Sequence, residues 1–198
     1  MLKTVKHDAK ADFLIEKGME ILWSKGYNGT SVNDIVKAAD VPKGSFYFYF
    51  DSKEDFAVKA IDKYFNGFFA PSREILEDKT ISPKKRLIDF HQYRYDVLKN
   101  EMCCKMGCLA SNLGNEMSEH SENIRKAIFI KEQMVLSLIT EVIQEAKDIG
   151  EIESPMDAGV LAAFIEDAGK GSMISMKEMK SSEPIDNFMT MVVGVLLK

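Results

Sequence analysis

The sequence predicts an all-α fold of about nine helices, and three observations carry that prediction. Apolar residues recur at spacings of three and four along nearly the whole chain. No stretch offers a convincing run of alternating residues rich in β-branched types, as a half-buried strand would. Gly, Pro and Ser fall between the periodic stretches, where helices start and stop.

The first helix is expected from about Asp8 to Lys25. Phe13, Leu14, Met19, Ile21, Leu22 and Trp23 give it an apolar side, and Gly26 ends it. The second follows Thr30 and Ser31, with Val32, Ile35, Val36 and Ala39 on one face. Asp40-Val41-Pro42 makes a tight turn into a very short third helix, about Lys43 to Phe48. Ser52, with Asp55 three residues on, resembles a capping box for a fourth helix reaching Pro71 or a little beyond. Ser82-Pro83 opens a fifth, with Pro where a missing N–H does no harm. Four more are expected: about Gly107 to Glu116, Ser121 to Asp148 (ended by Gly150), Pro155 to Met179, and Pro184 to Leu197.

At 198 residues, 45% hydrophobic and 29% charged, the chain can bury a sizeable core. No apolar run approaches the ~18–20 residues that span a bilayer, and the N-terminus has no signal-peptide core. A soluble cytoplasmic protein without membrane association is expected. Net charge is −5, and residues 1–55 hold eight Lys/Arg against nine Asp/Glu. Bulk charge therefore neither announces nor excludes a nucleic-acid partner; only the face that carries the cations matters. Cys103, Cys104 and Cys108 lack the paired C-x-x-C arms of a zinc site, and their odd number argues against a disulfide framework. No metal or cofactor is expected.

Two short helices around a tight turn, residues 31–39 and 43–48, form a helix-turn-helix candidate. The second is far below the ~12 residues at which an isolated helix becomes marginal, so packing must brace it. Phe46 and Phe50, four apart, can plug the small core, leaving Tyr47 and Tyr49 for other work. Gly44-Ser45 permits close approach to a DNA backbone. Lys53, at a helix start, suits a phosphate.

Residues 21–61, ILWSKGYNGTSVNDIVKAADVPKGSFYFYFDSKEDFAVKAI, resemble the N-terminal domain of the TetR/AcrR family of regulators. The family pattern is an aromatic with Gly-Tyr/Phe, then Thr-Ser/Thr, an Ala-Gly-Val turn, Lys-Gly-Thr/Ser-hydrophobic-Tyr-x-x-Phe, and Ser/Asn-Lys-Glu. Asp40 stands where Gly is usual, and Asp tolerates a left-handed backbone better than most residues. Pro42 replaces a common Ser and removes a possible cap. The resemblance implies residues 1–55 as DNA-binding domain and 56–198 as ligand-binding and dimerisation domain. It implies that Ser31 and Asn33 contact backbone or bases, that Lys43, Gly44, Ser45 and Tyr47 meet the major groove, and that Tyr49 and Lys53 hold phosphates. Ser31 also reads as a plain helix cap, and Lys43 as a solvated lysine. Lys3, Lys6 and Lys10 are a possible loose arm or a plain tail.

Within the C-terminal part, residues 107–125 resemble the Gly-Cys-Leu…Glu…Ser-Glu…Arg signature of a branch responding to electrophiles and acrylate-like acids. Cys108 matches that branch's cysteine. A sensor thiol and a small buried hydrophobe both remain open for it. An effector pocket is expected from Phe65, Phe68, His91, Tyr93, Tyr95 and Cys108, with Arg94 beside it. Stripes at Val160, Leu161, Phe164, Ile165 and Ala168, and at Phe188, Met189, Val192, Val195 and Leu196, face either their own core or a second copy.

The implied function is a repressor that binds a palindromic operator in double-stranded DNA as a homodimer. A small-molecule effector or thiol modification would release it. The alternatives are a small helical enzyme or a helical protein-interaction module. His7, His91 and His120 show no metal or triad spacing, so no enzyme is expected. Specific, salt-sensitive DNA binding separates the repressor from both.

Overall fold

A computed structural model describes residues 2–198, with side chains from residue 9 onward except Phe68. The side chains of Lys3, Lys6 and His7, and the Phe68 ring, therefore lie outside the described residues. Among those described there are ten α-helices and no strand. They are α1 (Leu2–Lys25), α2 (Val32–Ala38), α3 (Lys43–Tyr49), α4 (Lys53–Lys63), α5 (Ala70–Glu77), α6 (Pro83–Asp96), α7 (Leu109–Met117), α8 (Glu122–Asp148), α9 (Ala158–Met179) and α10 (Glu183–Met191).

The tenth helix arises because the expected fourth one is interrupted. After Lys63 the chain widens into a π-helical turn over Tyr64–Phe68, then restarts as α5 with Pro71 in its first turn. Pro has no N–H and fixes φ, so a helix takes it without cost only near its start. Two further wide turns follow α6 and α10, closed by Met102 N–H to Val97 O at 3.1 Å and Leu197 N–H to Val192 O at 2.9 Å. Such turns are rare and concentrate at functional positions.

Several helix ends follow the chemistry expected of them. Gly26 and Gly150 adopt φ of +74° and +78° just past α1 and α8. Asp40 takes φ of +52° in the α2–α3 turn, the left-handed conformation its side chain tolerates. Ser121 Oγ accepts from Ile124 N–H at 3.1 Å at the start of α8. Two ends differ. The ninth helix begins three residues after Pro155, because the Asp157 carboxylate caps Gly159 and Val160 N–H at 2.9 and 3.1 Å. Ser52 caps Asp55 N–H, but Asp55 reaches back to Asp51 N–H at 3.1 Å rather than to Ser52.

The helices gather into two compact units. One comprises residues up to Phe68 together with Leu109–Ile130, and the other Phe69–Cys108 with Lys131–Lys198. The core of the first holds Leu14, Leu22, Ile35, Phe46, Phe50, Phe56 and Ile61. The rings of Phe46, Phe50 and Phe56 meet at centroid separations of 5.0 to 5.8 Å. Each buried ring is worth roughly 2–3 kcal/mol, which is what holds α3 in place. The core of the second holds Leu87, Phe90, Ile139, Ile143, Leu161, Ile165, Met176, Ile185 and Phe188. Arg86, only 2% exposed, is tied there to Leu76 O and to the Glu145 carboxylate.

Candidate nucleic-acid interface and polar core

The helix-turn-helix is built on a division within one short helix. Phe46 and Phe50 point into the core, while Lys43, Gly44, Tyr47 and Phe48 are exposed. Tyr47 is 58% exposed, with its ring edge-on to Phe46 at 5.3 Å. A methyl group added at Gly44 would meet nothing within 4 Å, so the backbone there is open to close approach. Pro42 begins α3 without a side-chain cap, as its identity dictates. Ser45 and Tyr49 are half-buried.

Ser31 and Asn33 are exposed at the start of α2. Ser31 and Asp34 form a full capping box: Ser31 Oγ accepts from Asp34 N–H at 3.1 Å, and Asp34 Oδ2 accepts from Ser31 N–H at 2.9 Å. The Ser31 hydroxyl also donates to that carboxylate at 2.5 Å. These bonds, with Lys25 at 3.3 Å, hold the Asp34 carboxyl down at about 2. The Ser31 hydroxyl is therefore a helix cap whatever else it touches.

Lys53 has a similar double place. Its ammonium donates to Tyr27 O at 2.9 Å and Thr30 O at 3.0 Å, and lies 4.1 Å above the Tyr27 ring. An ammonium has three protons to donate, so two serve the α1–α2 turn. Sequence reasoning missed the group that holds the other side of that turn. The Glu116 carboxylate of α7 accepts from Tyr27 N–H and Asn28 N–H, both at 2.6 Å. Nothing local signals a contact across nearly ninety residues. The only trace is Gly26-Tyr27 itself, because a left-handed glycine turns the following N–H groups toward one point, where an anion fits.

In the second unit the expected pocket residues separate. His91 and Tyr95, one turn apart on α6, both meet the Phe188 ring, at 5.6 and 5.2 Å. Tyr93 is half-buried, and Cys108 packs half-buried against the same core as Met102 and Cys104. Phe65 belongs to the other unit, with its ring 5.2 Å from Tyr64. Burial pushes the Tyr95 hydroxyl well above its ordinary range. Burial also lowers the His91 imidazole to about 4, against the pull of Glu166. Among the described residues the His91 Nδ1 atom has no hydrogen-bond partner, and it lies 4.0 Å from Glu166 Oε1.

Arg94 is paired rather than left for a ligand, donating to Glu166 at 2.8 Å. Burial raises the Glu166 carboxyl, but Arg94, His91 and Lys170 outweigh it and hold the group below its usual range. Among the described residues no group of three His, Cys, Asp or Glu side chains is placed to hold a metal ion. No described helix is long and apolar enough to cross a membrane.

Comparison with known proteins agrees with this arrangement. The chain is 32% identical over 184 residues to the HTH-type transcriptional repressor DhaR of Mycobacterium sp. (strain GP1), covering 93% of this chain and 90% of that protein. It is 26% identical over 203 residues to the HTH-type transcriptional repressor NemR of Escherichia coli, covering 99% and 98%. The crystal structure of a regulatory protein TetR from Rhodobacter sphaeroides superposes with a TM-score of 0.86 at 30% identity, over 94% of this chain and 98% of that one. Residues 83–192 match the family described as tetracyclin repressor-like, C-terminal domain. Residues 14–60, which contain the turn and α3, match bacterial regulatory proteins, tetR family, and it is to the TetR family that this chain belongs.

Proposed function

We propose that this chain is a transcriptional repressor that binds a palindromic operator as a homodimer and is released by a small-molecule effector or by thiol modification. The observation that carries the reading is the split character of α3. Phe46 and Phe50 lock it into a core, while Lys43, Gly44 and Tyr47 stand open beside each other. In this reading residues 1–55 are the DNA-binding domain and 56–198 the effector and dimer domain, in the cytoplasm. Lys43 donates to guanine O6 and N7, and Tyr47 packs on a thymine methyl. Ser45 joins them in the groove, Ser31 and Asn33 contact the strand beside it, and Tyr49 and the third proton of Lys53 meet phosphates.

Dimerisation is supported by apolar side chains with no cover in the single chain. Of the two stripes expected on the terminal helices, Leu161, Ile165, Phe188 and Val192 are buried in the chain's own core, Ala168, Met189 and Leu196 are half-buried, and Val160, Phe164 and Val195 are exposed, as is Met191 beside the second stripe. Exposed apolar residues on both terminal helices suit a two-fold contact.

The effector is assigned to the second unit around His91, Tyr93 and Tyr95, where His91 Nδ1 has no hydrogen-bond partner among the described residues and lies 4.0 Å from Glu166 Oε1. Thiol modification is assigned to Cys108, a half-buried thiol immediately before α7. The NemR protein, a relative named as a repressor, has been crystallised in a reduced form. The test is a gel shift on the DNA upstream of the gene, with and without electrophiles, on native protein and Cys108→Ser. Salt-sensitive binding to that DNA over a scrambled duplex is expected; equal binding to both sinks the repressor reading. An electrophile response unchanged in Cys108→Ser removes that cysteine from the mechanism.

A further inference from the structure

The α1–α2 turn is held from two sides by opposite charges. From one side the Glu116 carboxylate takes the N–H groups of Tyr27 and Asn28. From the other the Lys53 ammonium takes the carbonyls of Tyr27 and Thr30. Neither of those N–H groups has a backbone acceptor within its own turn. Gly26 is fitted to this contact, since a methyl group there would lie 2.6 Å from Glu116 Oε2. The turn leads directly into Ser31, the cap of α2, and α2 packs on α3.

A second bond set fixes the segment beyond α7. The Glu54 carboxylate of α4 accepts from the Ser121 hydroxyl, and from Asn123 Nδ2 at 3.3 Å. Both sets belong to the same compact unit, so α7 and the start of α8 travel with the helix-turn-helix. The joint at the start of α7 is unusual in its backbone. Cys103, Cys104 and Gly107 all have positive φ, at +49°, +58° and +65°. Side-chain-bearing residues adopt that region at a cost, and Leu109 of α7 follows Cys108 directly.

We propose that Glu116 is a positioning residue for operator recognition: its carboxylate fixes the α1–α2 turn to α7, so that any tilt of α7 moves α2 and α3. The proposal rests on the DNA-binding reading. Glu116 touches no base or phosphate in it and acts through the turn. Charge-assisted bonds from two N–H groups to one carboxylate are short and directional, which suits transmission of small displacements.

The test uses the full chain with Glu116→Ala and Glu116→Gln. Operator affinity is read by fluorescence anisotropy on the upstream duplex and on duplexes with one base pair added or removed between half-sites. Amide hydrogen exchange is read in parallel. Glu116→Ala is expected to lose about tenfold in affinity and to discriminate less between spacings. Exchange should rise through residues 27–49 and stay unchanged in 131–198. Glu116→Gln, which keeps one acceptor oxygen, should lie between, and it decides the matter if the alanine variant fails to fold. Faster exchange confined to Tyr27 and Asn28, with native affinity and spacing preference, would reduce Glu116 to a local cap and overturn the proposal. If the native chain itself binds no duplex, the DNA-binding reading fails, and the exchange pattern alone decides whether Glu116 holds α2 and α3.

Discussion

Arg94 Nη1 donates to Glu166 Oε1 at 2.8 Å, and the same guanidinium lies 4.9 Å from the centre of the Phe90 ring. Glu166 is only 12% exposed, so its charge depends on this partner. Lys170, which helps to hold it, is itself drawn to Glu132 at 3.0 Å.

Arg94→Ala leaves the carboxylate with a weaker cationic neighbour in a low-dielectric setting. Loss of about 3 kcal/mol of stability is expected, together with protonation of Glu166 closer to neutrality. Urea unfolding at pH 7 and pH 5 measures both, and a change within the ±0.5 kcal/mol range of surface substitutions contradicts the pairing.

His91 gives stability a defined pH dependence. Its imidazole titrates near 4 in the fold, below the ordinary 6.5. Between those values the unfolded chain binds the extra proton, so stability falls as pH drops from 6.5 to 4 and levels off below that. The groups facing the ring are Glu166, which opposes the shift, and Arg94, which adds to it. An upper bound of roughly 3 kcal/mol follows from the size of the shift. His91→Phe, which keeps a ring against Phe90 and Phe188, should flatten the urea midpoint across this window. An unchanged slope in that variant would assign the dependence elsewhere.

Gly26→Ala tests the turn from the glycine side. The new methyl group meets a φ of +74° and the Glu116 carboxylate together. The backbone conformation alone costs roughly 1–2 kcal/mol. A lowered melting temperature is expected, and weaker operator binding with it. Native values for both would contradict the fitted contact.

Lys43→Ala and Tyr47→Ala should each leave stability within about 0.5 kcal/mol, because both side chains are exposed. Operator binding should weaken by about 1–3 kcal/mol for Lys43→Ala. Equal loss of stability and binding would mean that the residues act through the fold rather than through contact.

Phe164→Glu addresses association. The ring is 58% exposed on α9, so the monomer should keep its helical content. Sedimentation is expected to show a shift from dimer to monomer, with loss of operator binding. A dimer of native strength would move the interface off this face.

The helical class was legible because apolar spacing survives without knowledge of tertiary contacts, and Phe46 with Phe50 marked the buried side of α3 by spacing alone. Asp40 was legible through its side-chain chemistry. The interruption between α4 and α5 was not, since Phe65, Phe68 and Phe69 continue an apolar pattern that masks a change of helical pitch. The start of α9 was misplaced because Pro155 is the louder signal, whereas Asp157 makes the bonds. At the site, Gly44 and Tyr47 were singled out by local sequence and Lys43 by the family resemblance, and all three are exposed. Glu116 and Glu166 each bind a partner more than seventy residues away, and no local pattern encodes such a meeting.

The unit that carries α3 is not one stretch of chain. It needs Leu109–Ile130 as well as the residues up to Phe68, and that later stretch supplies the buried side chains of Leu113 and Ile124 along with Glu116 and Ser121. Transplanting only the first 68 residues onto a related protein would therefore move α2 and α3 without their scaffold. A chimera meant to exchange operator preference between relatives should carry both stretches, or be confined to the exposed positions of α2 and α3.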